Sequence, residues 1–225
     1  MESAMIKAVV FDMDGLMFDT EKIGIRTWNK LSEELGYPKL HNLIYTCFGT
    51  NHNFKRKYFA EVLGEDFPYD LFVKREIEIT GQTLKDEGVP RKKGLIELLE
   101  YLKANNIKTA VATSTTQGPA VEHIKDAGVF DYFDAIITGD MTEKGKPAPD
   151  IYLKACAEVG VDPADAMGLE DSYNGVRAIF AAGMKAVMIP DMVEPDDEMR
   201  EKTFAIKESL LDVIDLIEEI NNSNC

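Results

Sequence analysis

The chain has 225 residues, 45% of them hydrophobic and 29% charged, a balance typical of a globular protein with one core and room for a small additional domain. The formal net charge of -15 weighs against nucleic acid or an anionic membrane as a partner, because both require a basic surface on the protein, so we expect neither. No apolar run is long enough to span a bilayer, and residues 1–5 lack the features of a secretory signal, so we predict a cytoplasmic protein.

Short apolar runs alternate with amphipathic helical patterns over most of the chain. The predicted strands are residues 6–11, 107–112, 135–138, 166–169 and 186–189. The predicted helices are residues 95–104, 120–127, 151–159, 174–182 and 210–220. Because strands and helices alternate, we predict an α/β fold in which a parallel sheet carries helices on both faces.

The interval between the first two predicted strands departs from this alternation. From Thr20 to Gly88 the apolar residues recur at helical spacing, and no strand pattern is present. A simple crossover needs little more than a dozen residues, so this interval is too long to be one. We therefore predict an inserted all-helical domain of residues 20–88 and a core domain made of residues 1–19 and 89–225.

Polar side chains follow several predicted strands, at the edge where ligands bind in open α/β sheets. They are Asp12 and Asp14 after the first strand, Thr113 and Ser114 after the second, Lys146 in the loop after the third, and Glu170 and Asp171 after the fourth. Two carboxylates about 4 Å apart repel by roughly 4 kcal/mol at an effective dielectric near 20, so the acidic set requires a cation, most simply Mg²⁺. Magnesium shares its ligand shell with phosphate groups, and hydroxyls and a lysine can bind phosphate oxygens. The pattern therefore predicts a phosphorylated ligand.

The spacing of Asp12 and Asp14 suggests how they divide the work. Residues two apart in an extended segment point the same way, so one carboxylate can attack phosphorus while the other transfers protons. Structural interpretations stay open at this point, because an Asp-x-Asp-Gly sequence also suits a turn. Thr113 and Ser114 also suit a helix cap.

The motifs together resemble the haloacid dehalogenase superfamily. Residues 11–15 and 18–20 are similar to its first motif, Thr113-Ser114 to the second, residues 146–150 to the third, and residues 168–175 to the fourth. All four occur in order and span nearly the whole chain. The resemblance implies a Rossmann-like three-layer core. It also implies a helical cap similar to that of the subgroup containing β-phosphoglucomutase and many small-metabolite phosphatases.

The resemblance also assigns roles to the polar residues. It implies that Asp12 is the nucleophile and Asp14 the general acid and base. The implied magnesium ligands are Asp12, the backbone carbonyl of Asp14, and Asp171, with Glu170 in or next to the shell. The implied phosphate ligands are Thr113 and Lys146, assisted by backbone amides around Ser114.

Three functions remain open. We favour a magnesium-dependent phosphatase that acts on a small phosphorylated metabolite, such as a sugar phosphate or a nucleotide. The main alternative is a β-phosphoglucomutase, but those enzymes have a histidine where Gly24 stands. They also have an arginine that binds the second phosphate of the sugar, which is absent here, although His52 or Arg56 could substitute for it. A non-catalytic module that binds a phosphorylated metabolite is the third. We take a monomer as the default.

Overall fold

The computed structural model describes residues 5–47, 50 and 52–223. Its strands are β1 (Ala8–Phe11), β2 (Lys108–Ala112), β3 (Ala135–Ile137), β4 (Ala166–Glu170), β5 (Lys185–Met188) and β6 (Ala205–Ile206). Its α-helices are α1 (Thr20–Leu35), α2 (Leu40–Cys47), α3 (His52–Leu63), α4 (Tyr69–Glu87), α5 (Leu95–Ala104), α6 (Gln117–Asp126), α7 (Asp150–Val159), α8 (Tyr173–Ala181), α9 (Asp197–Lys202) and α10 (Asp212–Asn222). The prediction that the N-terminal segment is not a secretory signal rests on residues 1–5, of which residues 1–4 lie outside the described residues.

The six strands form one sheet in the order β3-β2-β1-β4-β5-β6. Every neighbouring pair is parallel, which confirms the predicted α/β fold. The edge strand β6 and the short helix α9 were not predicted. A strand of two residues has no periodicity that a sequence pattern could reveal.

The core lies on both faces of the sheet. In β1, Val9 and Phe11 pack on the side that holds α5, α6 and α10, whereas Ala8 and Val10 pack on the side that holds α7 and α8. A strand buried on both faces is apolar at successive positions rather than at alternate ones. This explains why β1 appears in the sequence as an unbroken apolar run.

Helices α1–α4 form an insertion between β1 and β2 and have a hydrophobic cluster of their own. At its centre the buried Trp28 ring makes edge-to-face contacts with Phe59 and Phe72, at centroid distances of 5.5 and 5.1 Å. The inserted helical region was predicted. The division into domains of residues 1–19 with 89–225 and of residues 20–88 stays a prediction. Within the described residues, no helix combines the length and the apolar character needed to cross a membrane.

Two chain segments connect the insertion to the sheet, and they are hydrogen-bonded to each other. The Asp19 amide donates to the Pro90 carbonyl at 2.8 Å, and the Lys92 amide donates to the Met17 carbonyl at 2.9 Å. The Lys92 ammonium also lies 3.7 Å from the Asp19 carboxylate and 2.6 Å from that of Asp191, which follows β5. The entry and the exit of the insertion therefore form one antiparallel pair of segments.

Candidate active site

The centre of the site is a cluster of three buried carboxylates at the ends of β1 and β4. The two strands are paired in parallel with Phe11 opposite Leu169, so the residues that follow, Asp12 and Glu170, come side by side. Asp171 completes the group. One carboxylate oxygen from each of the three lies within 4.8 Å of the others. The fold thus brings together acids that are about 160 residues apart in the sequence.

Lys146 lies within this cluster. Its ammonium contacts the Asp12 carboxylate and lies 2.7 Å from Glu170 Oε1, and only 3% of its side chain is exposed. Lys144, the other lysine of the same loop, is exposed to solvent. Lys146 is therefore the lysine that supplies positive charge to the acidic group.

Burial and mutual repulsion perturb the acids strongly. Burial raises the pKa of Asp12 to about 8, and the negative charge of Glu170 adds to this effect while Lys146 opposes it. Burial, followed by the charges of Glu170 and Asp12, raises the pKa of Asp171 well above its usual range. Burial alone would lower the pKa of Lys146, but the charges of Asp12 and Glu170 raise it well above the usual value. One lysine does not compensate three buried carboxylates, so the donor set fits a bound divalent cation.

The Glu170 carboxylate accepts more hydrogen bonds than the other two. Oε1 accepts from Lys146 Nζ at 2.7 Å and from the Tyr152 hydroxyl at 3.1 Å. Oε2 accepts from the Asp171 amide at 3.0 Å and from the amide and hydroxyl of Ser172 at 2.9 and 3.0 Å. Five donors fill the roughly four lone-pair positions of a carboxylate, so Glu170 is held in a single orientation.

Two glycines allow the acids to approach the backbone this closely. A Cβ atom on Gly175, in the first turn of α8, would lie 1.6 Å from Glu170 Oε1. A Cβ atom on Gly15 would lie 2.4 Å from Asp171 Oδ2, and Gly15 also has a φ of +88°, which favours glycine. The space that the carboxylates occupy is therefore available only because these residues have no side chain.

Asp14 lies at the same edge and is held by two hydroxyl groups. The Thr20 hydroxyl donates to Asp14 Oδ1 at 2.7 Å, and the Thr115 hydroxyl donates to Oδ2 at 2.8 Å. Thr20 is the first residue of α1, whereas Thr115 follows β2. The half-buried Asp14 carboxylate is therefore fixed jointly by the insertion and the sheet.

Thr113 and Ser114 follow β2 directly. Thr113 is buried, and its hydroxyl oxygen accepts a hydrogen bond from the Thr115 amide at 3.0 Å, while Ser114 is exposed. The Thr113 hydroxyl still carries a proton that it can donate to a ligand oxygen. Both residues line the same cavity as Asp12.

A cavity of about 360 Å³ separates the end of the sheet from the insertion, and its size suits a small molecule. All seven residues singled out from the sequence line it: Asp12, Asp14, Thr113, Ser114, Lys146, Glu170 and Asp171. Helices of the insertion provide much of the opposite wall, with Gly24, Trp28, Ile44, Cys47, His52, Lys55, Glu76, Ile77, Thr80 and Gly81.

His52 and Arg56 were considered as replacements for the phosphate-binding arginine of the mutases. His52 lines this cavity, and its Nδ1 lies 3.2 Å from the Tyr69 hydroxyl. The Arg56 guanidinium pairs instead with Asp70 and stacks over the Tyr69 ring, at 4.4 Å from its centre. Arg56 is exposed and is not part of the cavity wall, so Arg56 does not fill that role in this structure.

Three residues of the site were not singled out by sequence reasoning. Thr115 belongs to the run of hydroxyl residues after β2, and its bond to Asp14 distinguishes it from the others. Tyr152 is buried in α7 and contacts Glu170. Glu21 follows Thr20 in α1, and burial together with the nearby Asp191 carboxylate raises its pKa to about 8. Only Thr115 had a sequence signal, namely its place at a strand end.

Comparisons with known proteins agree with this architecture. Residues 9–189 match the family described as haloacid dehalogenase-like hydrolase. A phosphorylated carbohydrates phosphatase of Thermotoga maritima is 32% identical over 182 residues, which are 81% of this chain and 84% of that protein. A β-phosphoglucomutase of Bacillus subtilis is 31% identical over 191 residues, 81% and 82% of the two chains.

A solved structure shows the same fold. The crystal structure of CbbY from Rhodobacter sphaeroides in complex with phosphate superposes with a TM-score of 0.79 at 27% identity, covering 93% of this chain and 96% of that one. The family match covers the strand ends and the buried carboxylates described above. The chain therefore belongs to the haloacid dehalogenase-like hydrolases, in the subfamily of β-phosphoglucomutase and CbbY.

Proposed function

We propose that the protein is a magnesium-dependent phosphatase that hydrolyses a small phosphorylated metabolite through an aspartyl-phosphate intermediate. One observation carries the proposal. The Asp12 carboxylate faces the cavity next to Lys146 and Asp171, and Asp14 lies at the same edge, held by two hydroxyl groups. This arrangement supports the proposal because the two carboxylates and the positive charge that phosphoryl transfer requires lie together in a pocket of suitable size for a small phosphoester.

The residues would act in two steps. Asp12 attacks phosphorus as the bond to the leaving oxygen breaks, and a proton carried by Asp14 passes to that oxygen, which releases the alcohol. A water molecule then attacks the phosphorus of the aspartyl phosphate and gives a proton to Asp14. The bond to Asp12 breaks, and inorganic phosphate leaves. Lys146 and the Thr113 hydroxyl hold the phosphoryl oxygens throughout.

The hydrogen bonds suggest how the acids share the metal. Glu170 is saturated by five donors, whereas no such set of donors surrounds Asp12 or Asp171 within the described residues. We therefore assign Asp12 and Asp171 as direct ligands, and we place Glu170 next to the shell, where it positions Lys146. The family resemblance adds the backbone carbonyl of Asp14 as a third ligand. When bound, Mg²⁺ supplies the charge that keeps Asp12 ionised and neutralises the phosphoryl oxygens.

A β-phosphoglucomutase activity is the second candidate, because a relative with that name is 31% identical. The insertion favours hydrolysis. Gly24 lines the cavity at the place where those enzymes have a histidine, and a Cβ atom there would meet only the Ile44 side chain, at 3.5 Å. A mutase would also need a group that binds the second phosphate of its bisphosphate, and Arg56 is engaged elsewhere.

The test of this proposal is phosphate release from p-nitrophenyl phosphate, with Mg²⁺ and with EDTA, by the wild type and by Asp12→Asn. We expect turnover that requires magnesium and falls at least about 1,000-fold in the variant, because no nucleophile replaces Asp12. A folded wild type that releases no phosphate would favour a binding module instead. Conversion of β-glucose 1-phosphate to glucose 6-phosphate with little free phosphate, given a trace of bisphosphate, would favour the mutase.

A further inference from the structure

The insertion wall of the cavity contains a carboxylate that the proposed chemistry does not use. Glu76 lies on α4, is half-buried, and lines the cavity opposite the Asp12 cluster. Its Oε1 accepts a hydrogen bond from the Trp28 indole nitrogen at 2.6 Å. Among the described residues the indole is its one hydrogen-bonding partner, and no lysine or arginine pairs with it.

The contact with Trp28 gives this carboxylate a defined position. Trp28 is 2% exposed and is fixed by the edge-to-face contacts with Phe59 and Phe72. A side chain held by a rigid donor keeps its direction, whereas a free glutamate on a helix surface samples several rotamers. The indole occupies one oxygen of Glu76 and leaves the second with its lone pairs.

A single N–H donor does not require a charged acceptor, so the charge of Glu76 needs another explanation. Lys55 lines the same wall, with its ammonium 5.9 Å from the centre of the Trp28 ring, and no ion pair joins it to Glu76 within the described residues. A carboxylate only accepts hydrogen bonds, so a substrate group that binds to Glu76 must be a hydrogen-bond donor. A second phosphate or a carboxylate of the substrate would be repelled there.

We propose that Glu76, held by Trp28, determines specificity by accepting hydrogen bonds from hydroxyl groups on the carbon skeleton of the substrate. This rests on the proposed phosphatase function and narrows its substrate class to phosphorylated polyols, including monosaccharide monophosphates. The neighbouring hydroxyl of Thr80 and the ammonium of Lys55, which line the same cavity, provide donors for the sugar oxygens. Phosphorylated carboxylic acids are disfavoured because their acid group would face Glu76.

The test compares the wild type with Glu76→Gln, which keeps the shape of the side chain and an acceptor for the indole. For each protein, kcat/KM is measured with glucose 6-phosphate, ribose 5-phosphate, glycerol 3-phosphate, 2-phosphoglycolate and p-nitrophenyl phosphate. We expect the ratio of kcat/KM for the best polyol phosphate to that for p-nitrophenyl phosphate to fall about 10- to 100-fold in Glu76→Gln. In the same variant, the ratio of kcat/KM for 2-phosphoglycolate to kcat/KM for that polyol phosphate should rise.

Glu78→Gln is the matched control, because Glu78 lies on the same helix but pairs with Arg75 at the surface. It should leave all the ratios unchanged. Equal losses of activity on every substrate in Glu76→Gln, or a wild type that prefers p-nitrophenyl phosphate to all three polyol phosphates, would overturn the proposal.

The same assay distinguishes failure of the proposed phosphatase function from failure of the role of Glu76. If the protein is not a phosphatase, the wild type turns over none of the five compounds. Glu76 would then be tested by calorimetric binding of the same compounds to Asp12→Asn and to Asp12→Asn/Glu76→Gln. An unchanged order of affinities in the second protein would refute the role of Glu76.

Discussion

Replacing Lys146 by methionine tests the electrostatic account of the site most directly. Methionine approximates the volume of the lysine stem but removes the charge that lies against Asp12 and Glu170. Each contact of unit charges near 4 Å is worth about 4 kcal/mol at an effective dielectric of 20, and burial of the ammonium costs part of this. Removing one partner of a buried ion pair typically costs about 3–5 kcal/mol, and we expect a loss of that size at pH 8 in EDTA.

The measurement is urea-induced unfolding of both proteins at pH 8, with EDTA and with excess Mg²⁺. The loss in the variant should be smaller with magnesium, because a divalent cation bound to the folded state replaces part of the missing charge. It should also be smaller at pH 6, because carboxyls that bind a proton no longer repel one another. Phosphate release should fall at least about 100-fold, since the proposed mechanism requires this ammonium to bind the phosphoryl oxygens.

Lys144→Met is the matched control, because this lysine lies two residues earlier in the same loop and is exposed. Its free energy of unfolding should stay within about 0.5 kcal/mol of the wild type. The account of the site is refuted if Lys146→Met unfolds at the same urea concentration as the wild type in EDTA at pH 8.

Three further predictions concern residues around the acids. Glu21→Gln tests the raised pKa of Glu21: the neutral side chain stabilises the fold fully below the unfolded value of 4.5, and this contribution is lost as the pH rises to about 8. As the pH rises from 4.5 to about 8 in EDTA, the free energy of unfolding of the wild type should therefore fall by about 1–2 kcal/mol relative to that of the variant, as measured by urea unfolding. The same pH dependence of stability in both proteins would contradict this. Gly175→Ala should displace Glu170 and lower stability by about 1–3 kcal/mol, with loss of activity; an unaltered thermal midpoint would exclude the close approach seen here. Thr115→Val removes one of two hydroxyls that hold Asp14, so kcat should fall about 10-fold with little change in KM, and equal changes in both constants would argue against a positioning role.

The sequence was most informative about residues that directly follow the strands. Parallel strands end at the same edge, so knowing that residues 8–11 and 166–170 are strands is enough to bring Asp12 near Glu170. The same argument places Thr113 beside them. Periodicity also revealed the inserted helices, because α1–α4 cover their own apolar cluster.

What the sequence did not reveal are contacts between side chains on different elements. The bond from Trp28 to Glu76 joins residues 48 positions apart, and the bond from Thr115 to Asp14 joins residues 101 apart. Such contacts depend on how helices pack and which rotamers that packing permits, and neither follows from spacing along the chain. The two-residue strand β6 was missed because its pairing with β5, rather than its composition, makes it a strand.

The paired connections between the insertion and the sheet have a mechanical consequence. A protein segment tethered by two independent linkers can tilt, slide and twist, but here the bonds from Asp19 to Pro90 and from Lys92 to Met17 join the linkers into one ribbon. Twisting the helices against the sheet would break these bonds, whereas bending the ribbon as a unit preserves them. We therefore expect the insertion to open the cavity by bending at this ribbon rather than by twisting or sliding. Because Thr20 follows this ribbon directly and its hydroxyl donates to Asp14, we expect such bending to change the distance between this donor and the Asp14 carboxylate.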